Sequence, residues 1–190
     1  MRTHKILNED LSVFEFNIEK ELNFSNLAME AKNYYKEHNI IHKFGKIDPK
    51  LIDYGLHHNT TKFNSLISVI ENKTSFIIDS LHLASNIKVI PKVEESWVIV
   101  YNKLNFLTPH KHHMWSYSAV CYLETDNPSS IVFNKTEIIP KTGMLLIFSG
   151  SLTHGVRPVT IKNGERIAFI CNLYPTTKII DVNLKMRLYE

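Results

Sequence analysis

The sequence predicts a mainly β protein, a sandwich in which helices near the N-terminus pack on the outer face of one sheet. From residue 95 onward, short apolar runs follow one another, separated by turn residues and with no helical pattern between them. Two segments with helical spacing of apolar residues precede them. Many short strands at near-regular intervals are typical of an antiparallel sandwich or barrel. Each sheet must then bury one face against another layer.

The length and composition indicate one globular domain. We expect the 190 residues to divide into a mixed, partly helical support over residues 1–94 and a β core over residues 95–190. Hydrophobic residues make up 44% and charged residues 22%, which excludes disordered, collagen-like and disulfide-scaffold proteins. The net charge of +3 is too small to indicate nucleic acid as a partner.

We expect a cytoplasmic protein with no membrane partner. No apolar run reaches the roughly 20 residues of a membrane-spanning helix, and the first ten residues carry no export signal. Cys121 and Cys171 lie in apolar runs, so we predict buried free thiols in a reducing compartment.

The helices are predicted from the spacing of apolar residues and from capping residues. The first covers residues 24–37 and begins near Asn23 or Ser25. The second runs from Thr61 to about Leu81. The segment between them, residues 38–60, contains two glycines and a proline and is predicted to be a loop.

One predicted strand carries a sign of a site. In residues 166–173 every odd position is apolar, whereas the even positions begin with Arg166 and end with Asn172. Since side chains alternate along a strand, one face meets a dry core and the other a polar cavity. The predicted strands are 11–18, 97–101, 117–123, 130–133, 144–148, 155–161, 167–173 and 182–188.

Three histidines and one arginine indicate the chemistry. His110 and His112 are two residues apart and share a face if the chain is extended, and His154 follows a later apolar run. Imidazole suits iron, zinc and copper, and three such ligands leave other metal positions open. Arg166, twelve residues after His154, offers a planar fork of donors for a carboxylate. Each residue alone is ordinary; the ordered set is much more specific.

These segments resemble the Fe(II)/2-oxoglutarate-dependent oxygenases, in particular small stand-alone members near the prolyl-hydroxylase branch, which are often phage-borne. The resemblance covers residues 95–174, and the N-terminal half only in its general layout. It implies a double-stranded β-helix, a jelly-roll and cupin relative, and a phage-encoded protein acting in the host cytoplasm. The matching segments are 95–101, 109–112, 117–123, 139–149, 152–158 and 166–172.

The resemblance also implies the metal ligands. It makes His110 and His154 the two histidine ligands of Fe(II). The wider superfamily usually carries Asp or Glu two residues after the first histidine, but this chain has His112 there. His112 is either a third ligand, which we favour, or turns away and leaves a two-histidine site completed by water.

By the same resemblance, Arg166 binds the distal carboxylate of 2-oxoglutarate. Tyr101 and Tyr122 match positions that support this carboxylate; packing in the core is the alternative for both. The implied reaction uses Fe(II), 2-oxoglutarate and O2 and releases succinate and CO2. It hydroxylates, or otherwise oxidises, a small molecule or a peptide side chain. The sequence indicates neither the substrate itself nor the oligomeric state.

Two other functions stay open. One is a cupin-type dioxygenase that uses three histidines and no 2-oxoglutarate, which would leave Arg166 and the tyrosines for the substrate. The other is a non-catalytic jelly-roll module, either sugar-binding or a structural component of a virion. A tightly bound metal and a polar pocket would argue against the second.

The turn at Asn163-Gly164 gives a geometric test. If it formed a tight two-residue hairpin, His154 would lie opposite Leu173, and Arg166 would point to the other face. In a jelly roll the two flanking strands belong to opposing sheets, and the conflict disappears. The functional interpretation therefore predicts that the chain crosses between sheets here.

Overall fold

A computed structural model gives the fold of most of the chain. The predicted strand 182–188, the end of the predicted strand 155–161 and most of the predicted loop 38–60 lie outside its described residues. The structure describes residues 1–6, 12–38, 54–81, 87–101, 105–112, 116–126, 129–158 and 165–179.

Strands dominate the described part of the chain. The helices are α1 (Phe24–Glu37), α2 (Leu56–Asn59) and α3 (Asn64–Leu81). The strands are β1 (Arg2–Lys5), β2 (Ser12–Asn17), β3 (Ile87–Tyr101), β4 (Leu107–His110), β5 (Tyr117–Thr125), β6 (Ile131–Phe133), β7 (Thr136–Ile138), β8 (Met144–Ser149), β9 (His154–Val156) and β10 (Arg166–Ile179).

The strands form two antiparallel sheets. The larger sheet has the order β1-β2-β8-β5-β10-β3, and the smaller has the order β4-β9-β6-β7. This arrangement confirms the predicted mainly β fold. Strands β9 and β10 belong to different sheets, so the predicted crossing between His154 and Arg166 is confirmed; the turn at Asn163-Gly164 itself lies outside the described residues.

The alternation along β10 separates two cores. Ile167 and Phe169 pack in a cluster with residues of α1 and α3, on the outer face of the larger sheet. Ala168 and Ile170 pack in a second cluster with residues of the smaller sheet. The predicted two-faced strand is thereby confirmed, because Arg166 lies on the face between the sheets and is fully buried.

The helices cover the outer face, as predicted. Helix α1 has the predicted bounds, and the Asn23 side chain accepts a hydrogen bond from the backbone N–H of Asn26 at 3.1 Å. Helix α3 begins at Asn64, three residues later than predicted. Its Leu66 and Ile70 are fully buried in the outer cluster. No helix in the described ranges is long and apolar enough to cross a membrane.

Several elements were not predicted. Strand β1, strand β4, strand β7 and the short helix α2 come from segments that the sequence pattern left unassigned or predicted as loop. Strand β3 begins at Ile87, ten residues earlier than predicted. Strand β2 pairs with β8, so the first residues of the chain and its second half share one sheet.

The turn before β8 contains Gly143, which has φ of +79°, and a Cβ there would lie 2.7 Å from the Glu19 Cα. The prediction for the cysteines is confirmed, since the thiols of Cys121 and Cys171 are free and buried.

Candidate metal centre

Three imidazoles meet at one end of the space between the sheets. His110 ends β4 and His154 begins β9, and the two residues are direct partners in the smaller sheet. His112 follows β4, where its backbone N–H donates to the Gly150 carbonyl oxygen at 2.8 Å. One ring nitrogen from each histidine lies within 4.8 Å of the others. The structure thus brings together the three histidines that the sequence singled out.

The spacing of the rings fits a single metal ion. Nε2 of His112 lies 3.3 Å from Nε2 of His154. That separation is compatible with two nitrogens that bind one ion at about 2.1 Å and equally with a hydrogen bond between the two rings. Imidazole is a common ligand of iron and of other first-row metals, so the donor set fits the metal that the family resemblance implies.

His110 and His154 hold their protons away from the cluster. Nδ1 of His110 donates to the Thr108 carbonyl oxygen at 2.9 Å, and Nδ1 of His154 donates to the Leu152 carbonyl oxygen at 3.0 Å. A carbonyl oxygen can only accept, so each Nδ1 carries the proton and each Nε2 keeps a lone pair. Metal-binding histidines are commonly held in this way.

The buried imidazoles are neutral at physiological pH. Burial, together with the smaller effect of the neighbouring His110, lowers the pKa of His112 to about 4 and that of His154 to about 3. A histidine must be unprotonated at one nitrogen to bind a metal. His112 and His154 can therefore accept a cation without first losing a proton to solvent.

A close approach of two strands brings His110 and His154 together. A Cβ on Gly155 would lie 2.9 Å from the Leu107 carbonyl oxygen and 3.1 Å from the Pro109 nitrogen. Those distances are too short for any other residue without a shift of the backbone. Glycine at this position allows β4 to lie against β9 at the spacing that the cluster uses.

Arg166 is a buried cation with unused donors. It is fully buried at the first position of β10, and its Nη1 donates to the Ser129 carbonyl oxygen at 2.6 Å. Nε and Nη2 are buried without a hydrogen-bond partner among the described residues. The guanidinium carbon lies 4.2 Å from the centre of the Tyr101 ring. A buried charge with empty donor positions is costly, and a carboxylate would fill these positions.

Tyr122 adds a third unused donor beside Arg166. Its hydroxyl is buried and has no hydrogen-bond partner among the residues that the structure describes. The arginine guanidinium carbon lies 5.9 Å from the centre of this ring. Burial raises the pKa of the Tyr122 hydroxyl, while the positive Arg166 opposes that rise. The hydroxyl therefore keeps its proton and can donate a hydrogen bond to an anion.

One cavity joins the histidines to the arginine. Its volume is about 30 Å³, enough for a couple of water molecules. His57 and His58, from α2, are not among the residues that line it. The six residues that the sequence predicted for the site all line this cavity: Tyr101, His110, His112, Tyr122, His154 and Arg166.

A polar network behind His112 was not predicted. The Asn172 side chain donates to a carboxylate oxygen of Glu95 at 2.6 Å and accepts from the Ser118 hydroxyl at 2.8 Å. Its amide nitrogen also lies 3.3 Å from Nδ1 of His112. The signal in the sequence was the polar Asn172, on the same face of the strand as Arg166.

Comparison with known proteins gives matches in structure only. No protein-family model matches the chain, and no curated protein matches its sequence. A prolyl-4-hydroxylase from Pseudomonas putida superposes with a TM-score of 0.57 at 15% identity, over 85% of this chain and 91% of that one.

HygX from Streptomyces hygroscopicus is also similar. With nickel and 2-oxoglutarate bound it superposes with a TM-score of 0.53 at 12% identity, over 86% of this chain and 83% of that one. With iron bound the TM-score is 0.52 at 11% identity, over 86% of this chain and 82% of that one. The chain therefore has the double-stranded β-helix fold of the 2-oxoglutarate and Fe(II) oxygenases, as the resemblance implied.

Proposed function

We propose that the chain is a non-haem oxygenase that depends on Fe(II) and 2-oxoglutarate. The observation that carries this proposal is the shared cavity of the histidine cluster and Arg166. A metal site alone would fit many enzymes. A metal site that shares its cavity with a buried, incompletely bonded arginine fits a ligand with an acidic group at its far end.

In this proposal His110 and His154 hold the iron through Nε2, the nitrogen that carries a lone pair in each ring. His112 is the third imidazole of the cluster and was predicted to be a ligand as well; its role depends on which of its nitrogens carries the proton. Iron with 2-oxoglutarate and O2 supplies the oxidising power, with release of succinate and CO2.

Arg166 has the role of binding the distal carboxylate of 2-oxoglutarate. Its Nε and Nη2 are adjacent donors, which match the two oxygens of a carboxylate. The Tyr122 hydroxyl can donate a further hydrogen bond. The Tyr101 ring lies against the guanidinium, in range of a cation–π contact. The Nη1 contact to Ser129 holds the group from the other side.

The other residues that line the cavity are apolar. An enclosed apolar wall strengthens the hydrogen bonds inside and protects a reactive centre from solvent. We propose a small molecule or a peptide side chain as the substrate, since either could reach a buried centre, and the cytoplasm as the place of action. The apolar lining residues are Trp97, Ile99, Leu107, Val120, Ile131, Val156, Ala168 and Ile170.

The test is to add Fe(II) and then 2-oxoglutarate to metal-free protein without oxygen and to record the visible spectrum. We expect a weak charge-transfer band that requires both additions. Arg166→Met should weaken 2-oxoglutarate binding by about 30-fold or more, because a buried charge partner is lost. Arg157→Met is the matched control, since Arg157 is an exposed arginine, and it should bind 2-oxoglutarate as the unchanged protein does.

A three-histidine dioxygenase that does not use 2-oxoglutarate is the second candidate. It is favoured by one observation: among the described residues, the metal-binding group contains three histidines and no carboxylate. Iron binding without the 2-oxoglutarate band would support this candidate and contradict the first. Failure to bind iron at all would contradict both.

A further inference from the structure

We infer that Asn172 and Glu95 are positioning residues that keep the His112 proton on Nε2, so that His112 faces the metal position as a hydrogen-bond donor and not as a third ligand. The inference deepens the proposed function. What it implies for a bound metal rests on that function. The hydrogen-bond argument itself uses only the metal-free protein.

The first step fixes the orientation of the Asn172 amide. An ionised carboxylate can only accept hydrogen bonds, so the Asn172 atom that lies 2.6 Å from Glu95 is the amide nitrogen. On the other side, the Ser118 hydroxyl donates to the amide oxygen at 2.8 Å. Two partners of opposite character therefore hold the amide in one orientation.

The second step places the lone pair of His112 on Nδ1. The Asn172 amide nitrogen carries two hydrogens. One goes to Glu95, and the nitrogen also lies 3.3 Å from Nδ1 of His112. A ring nitrogen that faces a donor has to accept, so Nδ1 of His112 is the unprotonated nitrogen.

The third step places the His112 proton on Nε2, from the opposite side of the ring. Nε2 of His154 carries a lone pair, because Nδ1 of the same ring donates to the Leu152 carbonyl oxygen. Nε2 of His112 lies 3.3 Å from that lone pair and donates to it. If the His112 proton were on Nδ1 instead, its N–H would face the N–H of Asn172. The lone pair on Nε2 of His112 would then face the lone pair on Nε2 of His154.

The cluster thus contains two kinds of imidazole. His110 and His154 present lone pairs to the metal position, whereas His112 presents an N–H. A metal that takes the lone pair of His154 removes the acceptor of this N–H, which then needs another one. An anionic oxygen, such as a carboxylate of a 2-oxo acid, is the chemical class that supplies it.

The direct test reads the tautomers in the metal-free protein. Long-range ¹H–¹⁵N correlation spectra of uniformly ¹⁵N-labelled, chelator-treated protein distinguish a protonated ring nitrogen from an unprotonated one. We expect His110 and His154 to carry the proton on Nδ1 and His112 to carry it on Nε2. The spectrum of His112→Gln assigns the His112 signals. A His112 proton found on Nδ1 would overturn the inference.

A paired substitution reverses the polarity of the network without changing net charge. In the double variant Glu95→Gln/Asn172→Asp, the amide introduced at position 95 donates to the carboxylate introduced at position 172, which then accepts from Nδ1 of His112. The His112 proton should move to Nδ1 and free a lone pair at Nε2. Since a third ligand is gained, we expect Co(II), used as an oxygen-stable probe, to bind about 10-fold more tightly or better.

Two single variants serve as controls. Glu95→Gln keeps an amide oxygen that accepts from Asn172, so it should leave the tautomer of His112 unchanged. Glu94→Gln removes the same charge from the exposed neighbouring residue and should leave both the tautomer and the Co(II) affinity unchanged. A double variant that keeps its amide-signal dispersion but shows neither a moved proton nor tighter Co(II) binding would contradict the inference.

The two proposals fail in different ways. The tautomer is read without metal, so a protein that binds iron but not 2-oxoglutarate leaves this inference standing and contradicts the proposed function. Conversely, a normal 2-oxoglutarate band together with a His112 proton on Nδ1 would contradict only the role assigned to Asn172 and Glu95.

Discussion

The Tyr122 hydroxyl lies buried between the sheets with no hydrogen-bond partner among the described residues. An unbonded buried polar group costs about 1–3 kcal/mol. Tyr122→Phe should therefore leave the ligand-free protein as stable as before or about 1 kcal/mol more stable. It should at the same time weaken 2-oxoglutarate binding, because one donor to the carboxylate is lost.

Urea unfolding and 2-oxoglutarate titration measure these two effects separately. Tyr117→Phe is the matched control, since Tyr117 lies on the same strand but does not line the cavity, and it should leave 2-oxoglutarate binding unchanged. A Tyr122→Phe variant with lower stability and unchanged 2-oxoglutarate affinity would show that this tyrosine is an ordinary core residue.

Gly155 sets the distance between two of the predicted metal ligands. In Gly155→Ala the new methyl group would meet the Leu107 carbonyl oxygen at 2.9 Å. Strand β4 must then move away from β9, and His110 moves with it away from His154. We expect Co(II) affinity to fall about 10-fold or more, the range seen when ligand positioning is disturbed.

Isothermal titration with Co(II) measures the effect of Gly155→Ala. Thr108→Ala is the control in β4, because Thr108 contributes its carbonyl oxygen to the His110 contact and its side chain is not required. Equal Co(II) affinity in Gly155→Ala and the unchanged protein would mean that the close approach of the strands does not position the ligands.

The order of residues along the chain identified most of the candidate site. His110, His154 and Arg166 were found because each residue type suits its chemistry and because the apolar runs between them predict strands. The link from Glu95 to His112 through Asn172 could not be predicted. Glu95 and Asn172 are 77 positions apart, and only the pairing of β3 with β10 brings them into contact.

At the scale of elements, helix α3 stabilises the sheet from the side opposite the cavity. Ile70 is fully buried in the outer cluster. Ile70→Ala should lower the free energy of unfolding by about 2–5 kcal/mol, because it leaves a cavity. Co(II) affinity should stay unchanged, since the helix packs on the other face of the sheet. Urea unfolding and Co(II) titration measure the two quantities.

Phe76→Ala is the control for the helix. Phe76 is on the same helix but is 53% exposed, so the change should alter the free energy of unfolding by no more than about 0.5 kcal/mol. If Ile70→Ala and Phe76→Ala destabilised the protein equally, the outer cluster would not be the support that holds the sheet.

The elements that were predicted have apolar residues at a regular spacing, and the elements that were not predicted lack such a spacing. Helix α1 was predicted with its bounds because it has a capping residue and apolar residues at helical spacing. Strands β1 and β7 are too short, at four and three residues, for an alternation to be recognised. Strand β4 contains Pro109, which argues against a strand unless it lies at an edge, and β4 is indeed the edge of the smaller sheet.

At the scale of the whole molecule, the thiols report on global opening. Cys121 and Cys171 are fully buried, and burial raises the pKa of both thiols. We expect no reaction with a thiol reagent at pH 8 in the native protein and reaction of both residues in denaturant. Mass spectrometry counts the modified cysteines. Rapid modification of the native protein would show that the outer core opens without global unfolding.

The position of β10 has a consequence for how the protein is made. Strands β3 and β5 each pair with β10 and not with each other. The larger sheet therefore stays in two pieces until the ribosome has synthesised residues 166–179. Arg166 arrives on this same strand, so a nascent chain completes its main sheet and acquires the buried arginine in one event. A chain released before that point would present two open strand edges to its neighbours, which favours aggregation.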